Sequence, residues 1–252
     1  MGCDIHVMCE VKNNGEWKIN TENVFPDGHI LWCKEYNKEA YNSYIESGRN
    51  EFTDSPDDGR FYDWFGLLAD VRNGRGFAGV ITGEGFTPIS EPKGIPLDAT
   101  DEWKEYAGRW EGDMHSQSYL TLREFLNYDW EKTTKKAGYI PIQEYKTLRE
   151  TKQSPESWSG GVSGKDIVNI SMEEADKLLS GEIIQHELKN FYGEVIETVE
   201  ISLDDNKGKY VFYIWEVNYK EWFQNKFEQW VTPMQQLKEK YEDVRVVFGF
   251  DN

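Results

Sequence analysis

The sequence predicts a single α+β domain spanning residues 1–252, with a mixed, mostly antiparallel sheet that includes both chain termini. Helices cover that sheet, and long glycine-rich loops join the elements. Three observations predict this class. Residues 3–12 and 244–250 alternate apolar and polar side chains with the two-residue period of a strand. Several stretches between them carry a helical period with capping residues in place. No internal repeat and no linker composition divides the chain.

Cys3, Ile5, Val7, Cys9 and Val11 fall on one face of the first strand, and Asp4, His6, Met8, Glu10 and Lys12 on the other. Asn13-Asn14-Gly15 is a hairpin turn, after which Glu16 to Asn20 returns as a second strand. Residues 21–59 are polar, with turns at Pro26-Asp27-Gly28 and Ser55-Pro56-Asp57-Asp58-Gly59 and a short amphipathic helix over 34–47. Phe61 to Val71 has a helical period stopped by Asn73-Gly74. The stretch from Arg72 to Asp98 holds glycines at 74, 76, 79, 83, 85 and 94 and prolines at 88, 92 and 96, a density that neither helix nor long strand survives. Its apolar residues argue for an ordered loop, the rim or floor of a binding site.

Further along, Thr100 caps a helix through Trp110, and Thr121 with Glu124 forms a capping box for a helix to about Trp130. A strand over 135–140 leads into a helix from Pro141 to about Thr151. Residues 154–165, SPESWSGGVSGK, form a second small-residue loop. A strand over 166–170 precedes a helix opened by the Ser171/Glu174 capping box. Glu194–Leu203 and Lys209–Val217 read as a hairpin, and Tyr219–Tyr241 as one long amphipathic helix kinked at Pro233.

Composition narrows the function. A formal net charge of −18 argues against general binding to nucleic acid or anionic membrane, because phosphate contacts need a basic surface. A soluble enzyme, a binder with a locally basic pocket and an acidic nucleic-acid mimic stay open, and mimicry is the weakest because the acidic residues are interspersed rather than in runs. Ten Trp, fourteen Tyr and thirteen Phe supply a core and leave material for a homo-oligomer interface. Three cysteines without disulfide or zinc spacing fit a reducing, cytoplasmic setting, and Cys3, Cys9 and Cys33 have no evident activating partner. No signal peptide or membrane-length apolar run is present.

Two constellations could carry chemistry. Asp4 and His6 share a strand face, and Asp113-Met114-His115 repeats the D-x-H spacing in a loop just before a helix. With Asp251 from the last strand they could surround a divalent metal ion, the candidate cofactor. The alternative makes His6 a hydrogen-bonded sheet residue and Asp113 a turn residue. The glycine-rich loop could cradle an anion through backbone N–H groups, with Arg72, Arg75 and Lys93 neutralising it. It is neither a Walker loop nor a dinucleotide fingerprint, and its alternative reading is a structural Ω-type loop. Lys165 would add charge, while Phe86 and Trp158 would stack on a base; Trp158 more commonly anchors such a loop to the core.

The blocks GCDIH (Gly2 to His6), LLADVRNGRGFAGV with GEGFTPISEPKGIP, HSQSYLTLREFLNYDW, ESWSGGVSGKD and the closing DVRVVFGFDN resemble those of a family of uncharacterised proteins from bacteriophages and some bacteria. The resemblance implies a phage or prophage setting, hence the host cytoplasm, and implies little chemistry. Three functions follow as expectations. The first is a binding protein that captures a small anionic, nucleotide-like ligand, countering a host defence signal. The second is a metal-dependent hydrolase acting on a phosphate-containing substrate. The third is an acidic protein that inhibits a host protein by surface contact.

Overall fold

The computed structural model describes residues 2–56, 59–110, 112–151, 153–189, 192 and 194–251. Asp57 and Asp58 of the expected 55–59 turn lie outside them. The first third of the chain holds strands β1 (Asp4–Asn13), β2 (Glu16–Ile19) and β3 (Phe25–Pro26), helices α1 (Gly28–Tyr36) and α2 (Lys38–Glu46), strand β4 (Phe52–Thr53) and helix α3 (Tyr62–Ala69). Helix α4 (Asp101–Gly108), β5 (His115–Thr121), α5 (Leu122–Asn127), β6 (Thr133–Pro141) and α6 (Ile142–Thr151) follow. Then come β7 (Ile167–Ile170), α7 (Met172–Leu179), β8 (Ile184–Lys189), β9 (Val195–Ile201) and β10 (Gly208–Asn218). Short helices α8 (Tyr219–Trp222) and α9 (Gln224–Lys226), a π-helical turn over Phe227–Val231 and α10 (Thr232–Lys238) lead to β11 (Asp243–Asp251).

Helices and mostly antiparallel sheets give the expected α+β class, with the first and last strands in one sheet. The chain gathers into two compact units: residues 1–73, 86–132 and 218–252 form the first, and 74–85 with 133–217 the second.

The first unit is built on the sheet β2-β1-β11-β5. β11 is central and reads VRVVFGF through its middle, so nearly every residue is buried, as a strand covered on both faces requires. One face, with Ile5, Cys9, Val246 and Phe250, meets α3, where Phe65 packs edge-on to Phe250 at 5.1 Å. The other face lies under α4, through Trp103, Ala107, Met114 and Val247. Thr100 caps α4, and Thr121 with Glu124 closes a capping box on α5.

On that second face Glu10 stands directly opposite Arg245. The two side chains are 0% and 3% exposed, and Arg245 Nε donates to Glu10 Oε2 at 2.6 Å. Glu10 Oε1 accepts from both the backbone N–H and the hydroxyl of Thr100, each at 2.8 Å. Arg245 also donates to Asp98, and its guanidinium lies 4.0 Å from the Trp17 ring centroid. A charge pair this buried persists only when its remaining hydrogen bonds are met, and here they are.

In the second unit the strand order is β6-β10-β7, with β10 and β7 parallel, beside the antiparallel pair β8-β9. The hairpin expected between residues 194–203 and 209–217 does not form: β9 pairs with β8 from Ile184↔Ile201 onward. Residues 204–208 make no two-residue turn, because the Asp205 carboxylate accepts from the N–H groups of Ser202 and Lys207 and from the buried Lys209 ammonium. β10 then points Val211, Tyr213, Trp215 and Val217 into the core from a central position.

The expected long helix over 219–241 is also broken. Asn218 caps α8, the π-helical turn interrupts the period, and Pro233 sits in the first turn of α10, where its missing N–H costs nothing.

Removing one member of the buried pair, as in Glu10→Ala or Arg245→Ala, is expected to cost about 3–5 kcal/mol by leaving the other charge uncompensated. The double replacement Glu10→Leu with Arg245→Met is expected to recover most of that loss. Urea unfolding of the four proteins checks both statements, and additive losses in the double variant would contradict them.

Candidate functional site

Pairing of β1 with β11 sets Asp4 opposite Asp251 and His6 opposite Gly249. The even residues of β1 and the odd residues of β11 thus share one face, and one end of it gathers the polar side chains. A Cβ at Gly249 would lie 2.5 Å from Met114 Sδ, so only glycine lets that side chain close over the strand beside His6.

The Tyr106 hydroxyl and His6 Nδ1 are 2.8 Å apart, and the imidazole lies 4.1 Å, centroid to centroid, from the Trp110 ring. Tyr106 and Trp110 come from α4 and the turn after it, four residues apart. His6 Nε2 is buried and has no hydrogen-bond partner; Asp251 Oδ2 stands 3.5 Å away, too far for a good bond but close enough for charge attraction. Asp251 Oδ1 accepts the Asp4 N–H at 3.1 Å. If Tyr106 donates to Nδ1, a neutral imidazole carries its proton on Nε2, facing Asp251.

Arg60 reaches this group, and Arg72 lies on the α3 side of the strand beside Cys3 and Tyr62. Arg60 grips the Asp4 carboxylate bidentately, with Nη2 to Oδ2 at 2.6 Å and Nε to Oδ1. Arg72 lies 5.9 Å from the Tyr62 ring centroid, and the Tyr62 hydroxyl accepts the Cys3 N–H. Arg72 has φ of 54°, in the left-handed region that a branched-from-Cα residue enters at a cost, as does Asp70 at 59° where α3 ends. Strain of this kind persists where the surroundings hold it and concentrates at functional sites. Burial pushes the Cys3 thiol up and outweighs the opposing effect of Arg72, so Cys3 is not poised as a thiolate.

Of the expected metal ligands, Asp4, His6 and Asp251 do come together. His115 pairs opposite Phe250 and lies against its ring at 6.2 Å, while Asp113 is exposed and its N–H closes a turn on Trp110. His115 begins β5 instead of preceding a helix in a loop, because the terminal strand recruits it as a neighbour. Among the described residues no three His, Cys, Asp or Glu side chains are arranged to hold a metal ion, and Arg60 occupies the Asp4 carboxylate.

The expected anion-binding set is distributed differently. Arg72 lies beside Tyr62 and Cys3, just past the end of α3. Phe86 is 2% exposed and packs on Tyr219 and Phe223, so it is a core residue and offers no stacking surface. Lys93 donates to Glu124 at 2.7 Å and lies 4.0 Å from the Tyr119 ring centroid, stapling its loop to α5. Arg75, Trp158 and Lys165 belong to the second unit. Arg75 is exposed and forms a bridge with Ile81; Lys165 is exposed. Trp158 packs edge-on to Trp215 at 5.5 Å and against Gly138, the anchoring role.

Three of the glycine N–H groups expected to cradle an anion are bonded to backbone carbonyls. Gly76, Gly79 and Gly94 donate their N–H groups to Val80, Gly76 and Gln117 carbonyls. Gly83, with φ of 143°, is there because a Cβ would lie 2.3 Å from the Lys135 carbonyl oxygen. The Asn73 side chain bridges both backbone groups of Phe86, tying the two ends of the 74–85 excursion together.

Arg60, Tyr62, Tyr106 and Trp110 escaped the sequence reading. The i, i+4 spacing of Tyr106 and Trp110 on a predicted helix was a usable signal, whereas nothing local marks Arg60. The chain matches no protein-family model, no curated protein and no solved structure. Among the described residues no helix is long and apolar enough to cross a membrane.

The hydrogen bonds from Arg60 hold the Asp4 carboxyl below its ordinary value. A depressed folded value means that the stabilisation is present above the unfolded value of about 3.9 and is lost as pH falls through the folded one. Carbon-13 titration of the Asp4 carboxyl is expected to show a midpoint below about 3.9 that returns to that value in Arg60→Ala. A midpoint unmoved by the substitution would contradict the assignment.

Proposed function

We propose that the protein binds a small anionic, phosphate-bearing ligand of nucleotide-like size at the end of the β1–β11 face, through Arg60 and His6. The observation that carries this reading is an exposed guanidinium, Arg60, holding Asp4 on the same strand face as a buried imidazole whose Nε2 lacks a hydrogen-bond partner. Guanidinium forks match phosphate oxygens in geometry and charge. Asp4 is the internal stand-in for that ligand. Its side chain is 42% exposed, and an exposed ion pair contributes only about 0–1 kcal/mol, so an incoming phosphate displaces it at little cost. Trp110 supplies an aromatic surface beside His6. In the phage setting implied by the sequence resemblance, such capture would withdraw a host signalling nucleotide.

A second reading rests on the series Tyr106 hydroxyl, His6 and Asp251, which has the order of nucleophile, base and orienting carboxylate. On that reading the site hydrolyses or transfers the phosphoryl group it binds.

Calorimetric titration with ADP and with inorganic pyrophosphate tests the proposal. Arg60→Ala is expected to weaken binding by about tenfold or more. No binding of either probe, or an affinity unchanged in that variant, would overturn it. ADP recovered intact after heat denaturation of the complex supports capture. Degraded ADP, with degradation lost in Tyr106→Phe while affinity is kept, supports the second reading.

A further inference from the structure

A cavity of about 860 Å³ lies in the first unit, away from the strand-end residues in sequence, lined by the 128–131 turn and by residues 218–228. Three half-buried aromatic residues line it. Tyr128 and Trp130 stand edge to face at 5.2 Å and 76°, and Trp130 and Phe227 at 5.5 Å and 88°. This angled wall is held rigidly. The Trp130 indole N–H donates to the Phe125 carbonyl at 2.9 Å, the Tyr128 hydroxyl donates to the Thr87 carbonyl, and the Lys220 N–H donates to the Trp130 carbonyl. Phe227 opens the π-helical turn, a distortion that recurs at functional sites.

The charges around these rings have one dominant sign. Asp129, Glu131, Glu221 and Glu228 line the cavity together with Lys220, which is paired with Glu131 at 3.1 Å, and a second ammonium, Lys132, stands over the Tyr128 ring. Four carboxylates against two ammoniums, in a chain of net charge −18, leave an acidic excess that repels the anions proposed for the other site and attracts cations. The type of cation follows from the wall. A metal ion demands converging oxygen ligands, and among the described residues no three acidic or metal-ligating side chains are so arranged. Aromatic faces instead favour a large, weakly hydrated organic cation. Such a contact is already present at this wall: the Lys132 ammonium lies 4.7 Å from the Tyr128 ring centroid. The volume suits a small molecule, within the usual range of about 300–1,000 Å³ for ligand sites.

We infer that this cavity binds an organic cation with a methylated ammonium head, seated against Tyr128, Trp130 and Phe227 and balanced by the surrounding carboxylates. A free trimethylammonium compound and a trimethylated lysine side chain share that chemistry.

The experiment titrates the full chain with choline, with its uncharged isostere 3,3-dimethylbutanol and with a short peptide carrying trimethyl-lysine, following tryptophan fluorescence and calorimetry. Choline is expected to bind about tenfold or more tightly than the isostere. Phe227→Ala is expected to abolish most of that preference. Because Phe227 is half-buried, the exposed-residue variants Glu221→Gln and Glu228→Gln provide a control that keeps the fold, and together they are expected to weaken choline several-fold. A peptide that binds more tightly than choline identifies a modified protein as the source, and equal affinities identify the free compound. Equal binding of choline and isostere, no binding of any cation, or full affinity in both the aromatic and the carboxylate variants overturns the inference.

Discussion

The buried pair of Glu10 and Arg245 is the constraint on which the first unit depends. It joins the first and last strands at directly opposed positions, and a one-residue slip would put two desolvated charges against apolar side chains. Its hydrogen bonds extend to Thr100, the cap of α4, so the same carboxylate fixes strand register and helix entry. With register and helix fixed, Tyr106 meets His6 at one end of the face and Trp103 covers its middle.

The two proposed sites share a physical logic of opposite sign. At the strand end the proposed anion contacts are Arg60 and His6, and Asp4 holds the Arg60 guanidinium. In the cavity near Trp130, carboxylates surround aromatic rings whose faces are already electron-rich.

The glycine-rich stretch shows how composition misleads when it is read apart from neighbours. Glycine there serves close backbone approach, as at Gly83 beside the Lys135 carbonyl, and the N–H groups of Gly76, Gly79 and Gly94 are bonded to backbone carbonyls. Phe86 and Trp158 look like stacking residues only until the core is seen to need them. Arg72 lies beside Tyr62 and Cys3, at the foot of the loop where α3 ends in left-handed backbone.

By itself the sequence determined the α+β class, the two capping boxes, the alternation of β1 and β11 and the sharing of one face by Asp4 and His6, because each rests on local period or on bonds between residues three or four apart. Pairing of the two end strands, and with it the approach of Asp251 to His6, was legible as an expectation since both segments had strand period. Only tertiary structure decided that β9 pairs with β8, that His115 joins the sheet, and that Arg60 reaches Asp4 across 56 residues. Those outcomes depend on which surfaces compete for burial and which charges meet after collapse, and no local period carries that information.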